Sequence, residues 1–531
     1  MSGGRLDFLG HARTVAGLTA LSRVSGLVRD AIVSKVFGAS PVWSAFVTAF
    51  VLPNLFRRLF GEGALSAAFV PAYARLSEED PESARRLASL VAGGLLAVLG
   101  TVVVVLEAVL GVLLVAGVVG EAGRLTVGLA MVMLPFMALV CTSAMLGGVL
   151  QTHGRFVPPA GAPILLNLCM IGSASVAWWG LGWSLERTAF ALAGGVVVAG
   201  VLQVAWHLRA MRRVHVWTRD VAPAVDEARG VVRRMLPVIV GMGALQVGTL
   251  IDGLIAGYPV LVGPTIGGAA YPLDGASAGV LFFASRLYQF PLGVFGIAIA
   301  TAVFPALSRA ARDAGDFAST LGRGLRVSLF VGLPATLGLL VVGPDLAAVI
   351  YEGGAFTEDD TRRVVGALNW YALAIASASL THVLTRAFYA KDDTSTPMRV
   401  GVACVALNIG LSVGLMWTPM GERALALGTG VAACAQAGLL LLLVRARMER
   451  SPLDRGFVRS VLRTGGCACV MGGAVWGLSG VLGEMGGGWT GHAGRLAVLV
   501  VAGGGVYALS ARLLGAPELG ELLRPERERA G

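Results

Sequence analysis

Charge is scarce in this sequence. Only 14% of its 531 residues are charged and 56% are hydrophobic, whereas a soluble domain carries about 25% charged residues. Lysine is scarcer still: the formal net charge of +10 rests almost wholly on arginine. In a soluble protein such a balance points to nucleic acid; in an apolar chain the enrichment of cytoplasmic loops in basic residues accounts for most of it. Cysteine is rare. Cys141, Cys169, Cys404, Cys434, Cys467 and Cys469 all lie inside apolar runs, which excludes a disulfide framework and leaves them as small packing residues. Cys467 and Cys469 are too close and too isolated for a zinc ribbon. A G-x-x-x-x-G-K-[ST] phosphate loop, a catalytic triad and a metal-ligand cluster are all missing from the sequence, which argues against an ATP-driven pump in one chain and against an enzyme. The opening MSGGRLDFLGHAR runs into a first helix too polar for a cleavable signal peptide.

Long apolar runs are what the chain has instead. They fall near 14–38, 42–73, 88–118, 125–150, 159–181, 187–208, 233–258, 277–306, 321–343, 364–390, 397–417, 424–444, 460–482 and 494–515. The expected fold is an all-α polytopic membrane protein of about 14 transmembrane helices. Every even-numbered connection is the basic one, from Arg75, Arg85 and Arg86 to Arg445, Arg447, Arg450 and Arg455; the others are short or acidic, as at Glu121, Asp274 and Glu358–Asp360. An even number of spans then places both termini in the cytoplasm.

The two halves repeat. Pro53, Phe56 and GALSAAFVPAYAR, ending at Arg75, answer to Pro291, Phe295 and GIAIATAVFPALSR, ending at Arg309. GRFVPPAGAPILLN, ending at Asn167, answers to DDTSTPMRVGVACVALN, ending at Asn408. The expected organisation is two six-helix pseudo-symmetric lobes plus two C-terminal helices: 1–208 (helices 1–6), a basic cytoplasmic linker 209–232, 233–450 (helices 7–12), and 451–531 with helices 13 and 14 and a tail. Repeated lobes around a central site are the plan of secondary transporters.

Several spans keep charges that cost roughly 2.5–3.5 kcal/mol each at the centre of a bilayer. Between Ser22 and Arg75 lie Arg23, Arg29, Asp30, Lys35, Arg57, Arg58 and Glu62, and Arg286 stands within LFFASRLYQFPLGVFGIAI. Two readings stand. The arginines snorkel to headgroups or pair internally with Asp30 and Glu62, or they line a cavity for an anionic substrate, since a guanidinium fork matches phosphate or carboxylate oxygens in pairs. Asp252, in MGALQVGTLIDGLIAGY, is a mid-span carboxylate; with Asn408 and Thr429 it offers oxygens to a cation or a proton, or simply hydrogen-bonds a neighbouring helix.

SRVSGLVRD (22–30), VFGAS (36–40), LPNLFRRLFGEGALSAAFVP (52–71), ASRLYQFPLGVFGIAIATAVFPALS (284–308) and FYAKDDTSTP (388–397) resemble the MurJ (MviN) family of lipid II flippases, within the multidrug/oligosaccharidyl-lipid/polysaccharide exporter superfamily. The resemblance spans essentially the whole chain, and 52–71 and 284–308 are its most specific stretches. It implies an inner-membrane transporter, not an enzyme. Its substrate would be undecaprenyl-diphosphate-linked disaccharide-pentapeptide (lipid II), moved from the cytoplasmic to the periplasmic leaflet for peptidoglycan synthesis. It implies that Arg23, Arg29, Arg57 and Arg286 face a cationic cavity and bind the diphosphate headgroup, and that Glu62 is the acidic residue of its motif. The last two helices would line a groove for the lipid tail. A cation site would map onto Asp252, Asn408 and Thr429. Three serines depart from acidic family positions, Ser44, Ser285 and Ser412, so the cavity should be less neutralised and the cation site should lack one acidic member, which argues against sodium coupling.

The reading is therefore a lipid II flippase working by alternating access without an organic cofactor. Direction would come from a monovalent cation, sodium or a proton, or from membrane potential; cell-wall synthesis proteins are the partner class to look for. Alternatives are a flippase for another polyprenyl-diphosphate oligosaccharide, a small-molecule exporter of the superfamily, and a non-transporting scaffold.

Overall fold

The computed structural model describes the backbone of residues 3–523 except 213, 215, 216, 449 and 484–487. Side chains are described for these residues except 3–12, 61, 62, 64, 66, 237, 240–242, 244, 245, 294 and 295.

The chain is helical nearly throughout; a hairpin of Thr265–Ile266 against Ala269–Ala270 is its only named sheet among the described residues. Ten helices are long and apolar enough to cross a membrane among those residues, from Pro81–Val115 to Trp489–Leu513. The four other expected spans are helical too. Gly3–Phe37 carries the arginines of the first span, Val225–Leu261 opens in the charged stretch VDEARGVVRR, and two are interrupted. One runs as Pro41–Phe56, a π-helical Arg57–Ala64, then Leu65–Glu79; the other as Ser277–Pro291, a π-helical Leu292–Gly296, then Ile297–Ala310. Each interruption follows a proline, Pro53 or Pro291, and ends by the matched glycine, Gly63 or Gly296. A proline removes one helical N–H and crowds the preceding turn, and a one-residue widening relieves both. The repeat read from the sequence is thus present as a shared backbone irregularity.

Helix starts are fixed locally. Asp80 accepts from the N–H of Glu82 and Ser83 before Pro81, Asp313 from Asp316, and Asp454 from Phe457. Thr357 and Asp360 form a reciprocal capping box.

The chain packs as two compact units, 1–279 with 353–356, and 280–352 with 357–531. The sequence repeats divide at the basic linker, yet Val225–Leu261 packs into unit 1. The reason is steric. A Cβ at Gly257 would lie 2.3 Å from Thr48 Oγ1, and one at Gly253 3.1 Å from Val51, so these glycines let two backbones approach closely. Thr126 Oγ1 also donates to the Val260 carbonyl at 2.5 Å. Residues 353–356 join unit 1 through Ala355 N–H, which donates to the Lys35 carbonyl at 2.8 Å. Unit 1 has a core around Phe69, Leu87, Met145 and Val149; unit 2 has one around Phe317, Leu325, Val383 and Leu440. Outside these cores the helices turn apolar side chains outward, among them Val104, Val112, Leu462 and Val501, as helices facing lipid do.

Candidate functional site

The first span supplies a largely buried polar network. Arg29 and Asp30 are adjacent on Gly3–Phe37, and their side chains are only 13% and 7% exposed. Arg29 donates to Asp30 Oδ1 from Nε at 3.0 Å and from Nη2 at 2.6 Å. Its third arm, Nη1, donates to Asn167 Oδ1 at 3.0 Å. Asn167 in turn donates from Nδ2 to the Ser22 carbonyl at 3.1 Å and to Ser25 Oγ at 2.9 Å. One amide on Val157–Ser175 therefore fastens the fifth span to the first and aims the guanidinium. The sequence left open whether Asp30 neutralises an arginine; it pairs with Arg29.

Arg57 and Arg58 open the π-helical segment. Arg57 closes its fork on Asn54 Oδ1, from Nε at 3.2 Å and from Nη2 at 3.0 Å. Arg58 Nη1 donates to Gln246 Oε1 of Val225–Leu261 at 3.3 Å. Arg23 lies exposed on the first span. The Glu62 side chain lies outside the described residues. Arg23, Arg29, Arg57 and Arg58 all belong to unit 1; Arg286 belongs to unit 2, where its Cζ sits 4.7 Å above the Phe282 ring, a cation–π contact.

The residues expected to hold a cation do not all fall in one unit. Asp252 is half-buried in unit 1. In unit 2, Ser412 Oγ donates to Asn408 Oδ1 at 3.5 Å, and both lie against Gly428, where an added Cβ would be 2.6 Å from Asn408 Oδ1. Thr429 Oγ1 turns back to the Leu425 carbonyl at 3.1 Å. That bond is the ordinary helix back-bond of threonine, so the Thr429 hydrogen is spent on its own helix.

Two of the serines at acidic family positions have defined tasks. Ser44 is fully buried and accepts the Gly279 N–H at 2.9 Å. Ser285 donates to the Phe282 carbonyl at 2.8 Å. Sequence reasoning missed Asn54, Asn167 and Gln246 as partners of the arginines. Asn167 alone carried a signal, its place in the repeat opposite Asn408.

A family model described as "Lipid II flippase MurJ" matches residues 33–487. A probable lipid II flippase MurJ of Rhizobium tropici is 32% identical over 524 residues, covering 96% of this chain and 95% of that protein. The lipid II flippase MurJ of Burkholderia cenocepacia is 30% identical over 485 residues, covering 87% and 88%. Among solved structures, "Lipid II flippase MurJ, inward closed conformation" superposes with a TM-score of 0.76 at 22% identity over 96% of this chain and 99% of that one. An inward-facing MATE family transporter of the MOP superfamily does so at 0.62 and 15% identity, over 82% and 98%. These two likenesses establish the fold; the family follows from the sequence matches. The chain belongs to the lipid II flippase MurJ family.

Proposed function

We propose that this protein flips lipid II from the cytoplasmic to the periplasmic leaflet of the bacterial inner membrane by alternating access. Family membership across nearly the whole chain carries the reading. The chemistry agrees with it. A diphosphate offers several oxygens and about two negative charges, and guanidinium forks bind such oxygens in pairs. Arg23, Arg29 and Arg57 serve this purpose in unit 1 and Arg286 in unit 2, with Arg58 and Glu62 adjusting local charge. In this reading Arg29 exchanges Asp30 for the diphosphate when substrate enters, so the carboxylate holds the fork ready without fixing it permanently. The polyprenyl tail stays in the bilayer. The basic connections face the cytoplasm. Asp252, the titratable member of the expected cation site, carries the coupling cation or proton.

The test is replacement of the resident flippase in a conditional bacterial strain. Growth and normal exposure of lipid II on the outer leaflet are expected. Failure at normal membrane abundance overturns the proposal.

A further inference from the structure

The motif FYAKDDTSTP has no place in the transport reading, yet it builds a distinct feature of unit 2. The ends of Glu358–Ala390, Ile297–Ala310 and Arg423–Arg447 meet the start of Ala314–Tyr351 around a cavity of about 370 Å³. Its floor is apolar, with Phe317, Phe388 and Val444 buried beneath it. Its walls carry four cations, Arg312, Lys391, Arg447 and Arg450, and one carboxylate, Asp393.

The carboxylate is already engaged. Asp393 Oδ1 accepts from the Thr396 N–H at 2.9 Å and from Ser395 Oγ at 3.0 Å, and Oδ2 accepts from Arg447 Nη1 at 3.0 Å. Arg447 also donates to Thr396 Oγ1 at 2.7 Å. This pair holds the turn, where Asp392 takes a φ of 59°. Lys391 lies 4.6 Å over the Phe317 ring and donates to the Ala311 carbonyl. Asp313 accepts the Asp316 N–H at 2.8 Å and lies close enough to Arg450 to feel its charge. Arg312 and Arg450 stand exposed at the rim. The corresponding corner of unit 1 is closed differently, by Tyr73 Oη against His153 Nε2 at 3.0 Å.

We propose that this pocket binds a phosphate group carried on an apolar body, the headgroup of an anionic phospholipid, gripped by Arg312 and Arg450 above the Phe317 and Phe388 floor. Arginine forks suit phosphate oxygens, and the volume falls in the usual range of about 300–1,000 Å³ for small-molecule sites. Depth agrees as well. Ala314–Tyr351 has 38 residues. Its apolar run begins near residue 321, so at about 1.5 Å per residue Phe317 lies about 6 Å beyond the edge of the hydrocarbon, at headgroup level. This proposal goes beyond the transport reading and does not depend on it.

The test uses the full chain in detergent, titrated with phosphatidylglycerol in mixed micelles and separately with inorganic phosphate, with thermal unfolding as the readout. Phosphatidylglycerol should raise Tm. R312Q/R450Q should need at least tenfold more lipid for the same shift, and R312K/R450K an intermediate amount. R219Q/R229Q, at a basic surface elsewhere, should match the native chain. The ligand-free Tm of each variant separates a binding loss from a folding loss, and the lysine variant keeps the comparison usable if the glutamine variant unfolds. Equal potency of inorganic phosphate would assign the site to soluble phosphate compounds and overturn the lipid. Equal lipid response in R312Q/R450Q and the native chain overturns the pocket altogether.

Discussion

Arg29 Nη1 and Asn167 Oδ1 stand 3.0 Å apart, and through this bond the fifth span holds the arginine of the first. The amide makes two more bonds to the first span, at Ser22 and Ser25. Asn167→Ala removes all three at a site 5% exposed. A buried polar partner left without its bond costs about 1–3 kcal/mol. The expected result is a clear fall in Tm together with slower flipping. Asn167→Leu should behave like Ala, because the defect lies in hydrogen bonding and not in volume. Native Tm and native flipping in both would remove Asn167 from the site.

In the proposed reading Asp30 competes with substrate for the Arg29 guanidinium. Asp30→Asn keeps an acceptor within reach of Arg29 but removes the negative charge. A water-soluble diphosphate headgroup analogue should therefore bind several-fold tighter, each tenfold being about 1.4 kcal/mol. Calorimetry on the purified variant measures it. Flipping should slow, since tighter ground-state binding hinders release. Weaker analogue binding would show that Asp30 supports the site and does not guard it.

The sequence made some of this plain and hid the rest for physical reasons. The spans were legible because apolar runs of some 20 residues have few other uses, and the helices follow them closely, as at 187–208 against Leu185–Met211. The matched π segments were foreshadowed by Pro53 and Pro291. The packing of Val225–Leu261 into unit 1 was not, because it rests on the approach of Gly257 to Thr48 across the fold. Nor was Asn167, since an amide in an apolar run most often makes an ordinary helix–helix bond. Ser44 looked like a lost cavity charge; its burial under the Gly279 N–H is a matter of backbone proximity that sequence does not display.

His153 gives unit 1 a pH dependence. It follows Glu121–Thr152 in the loop, and burial, with a smaller contribution from Arg155, lowers its pKa below the ordinary 6.5. The folded chain then binds this proton less readily than the unfolded one. Stability from this group is full above pH 6.5 and declines as pH falls below that value toward the folded pKa. Tm should drop between pH 7.5 and 5.5, and His153→Gln should flatten that drop while keeping a partner for Tyr73. An unchanged pH profile in the variant would assign the drop to other groups.

The alternation of basic and acidic connections predicts sidedness. Single cysteines at Arg219 and Asp359, both exposed, belong to connections of opposite type. In a background lacking the six native cysteines they should label from opposite faces of the membrane, Arg219 from the cytoplasm. Labelling of both from outside sinks the fourteen-span topology.

The arginines themselves differ in what a lysine can replace. All three arms of Arg29 are used, two on Asp30 and one on Asn167. An ammonium is a point charge on a flexible stem and cannot span both partners with a planar fork. Arg29→Lys should therefore lose most flipping. Arg286 rests on the Phe282 ring, and a lysine retains part of a cation–π contact, so Arg286→Lys should keep an intermediate rate. Arg58 donates to Gln246 through Nη1, a bond that one ammonium N–H can replace, so Arg58→Lys should flip nearly normally. Alanine at Arg29 or Arg286 should abolish flipping, because losing one partner of a desolvated charge-assisted pair costs about 2–5 kcal/mol. The measurement is lipid II accessibility on the periplasmic face, normalised to protein in the membrane. An order in which Arg29→Lys outperforms Arg58→Lys contradicts the fork argument, and near-normal flipping by both alanine variants refutes a substrate-binding role for either arginine.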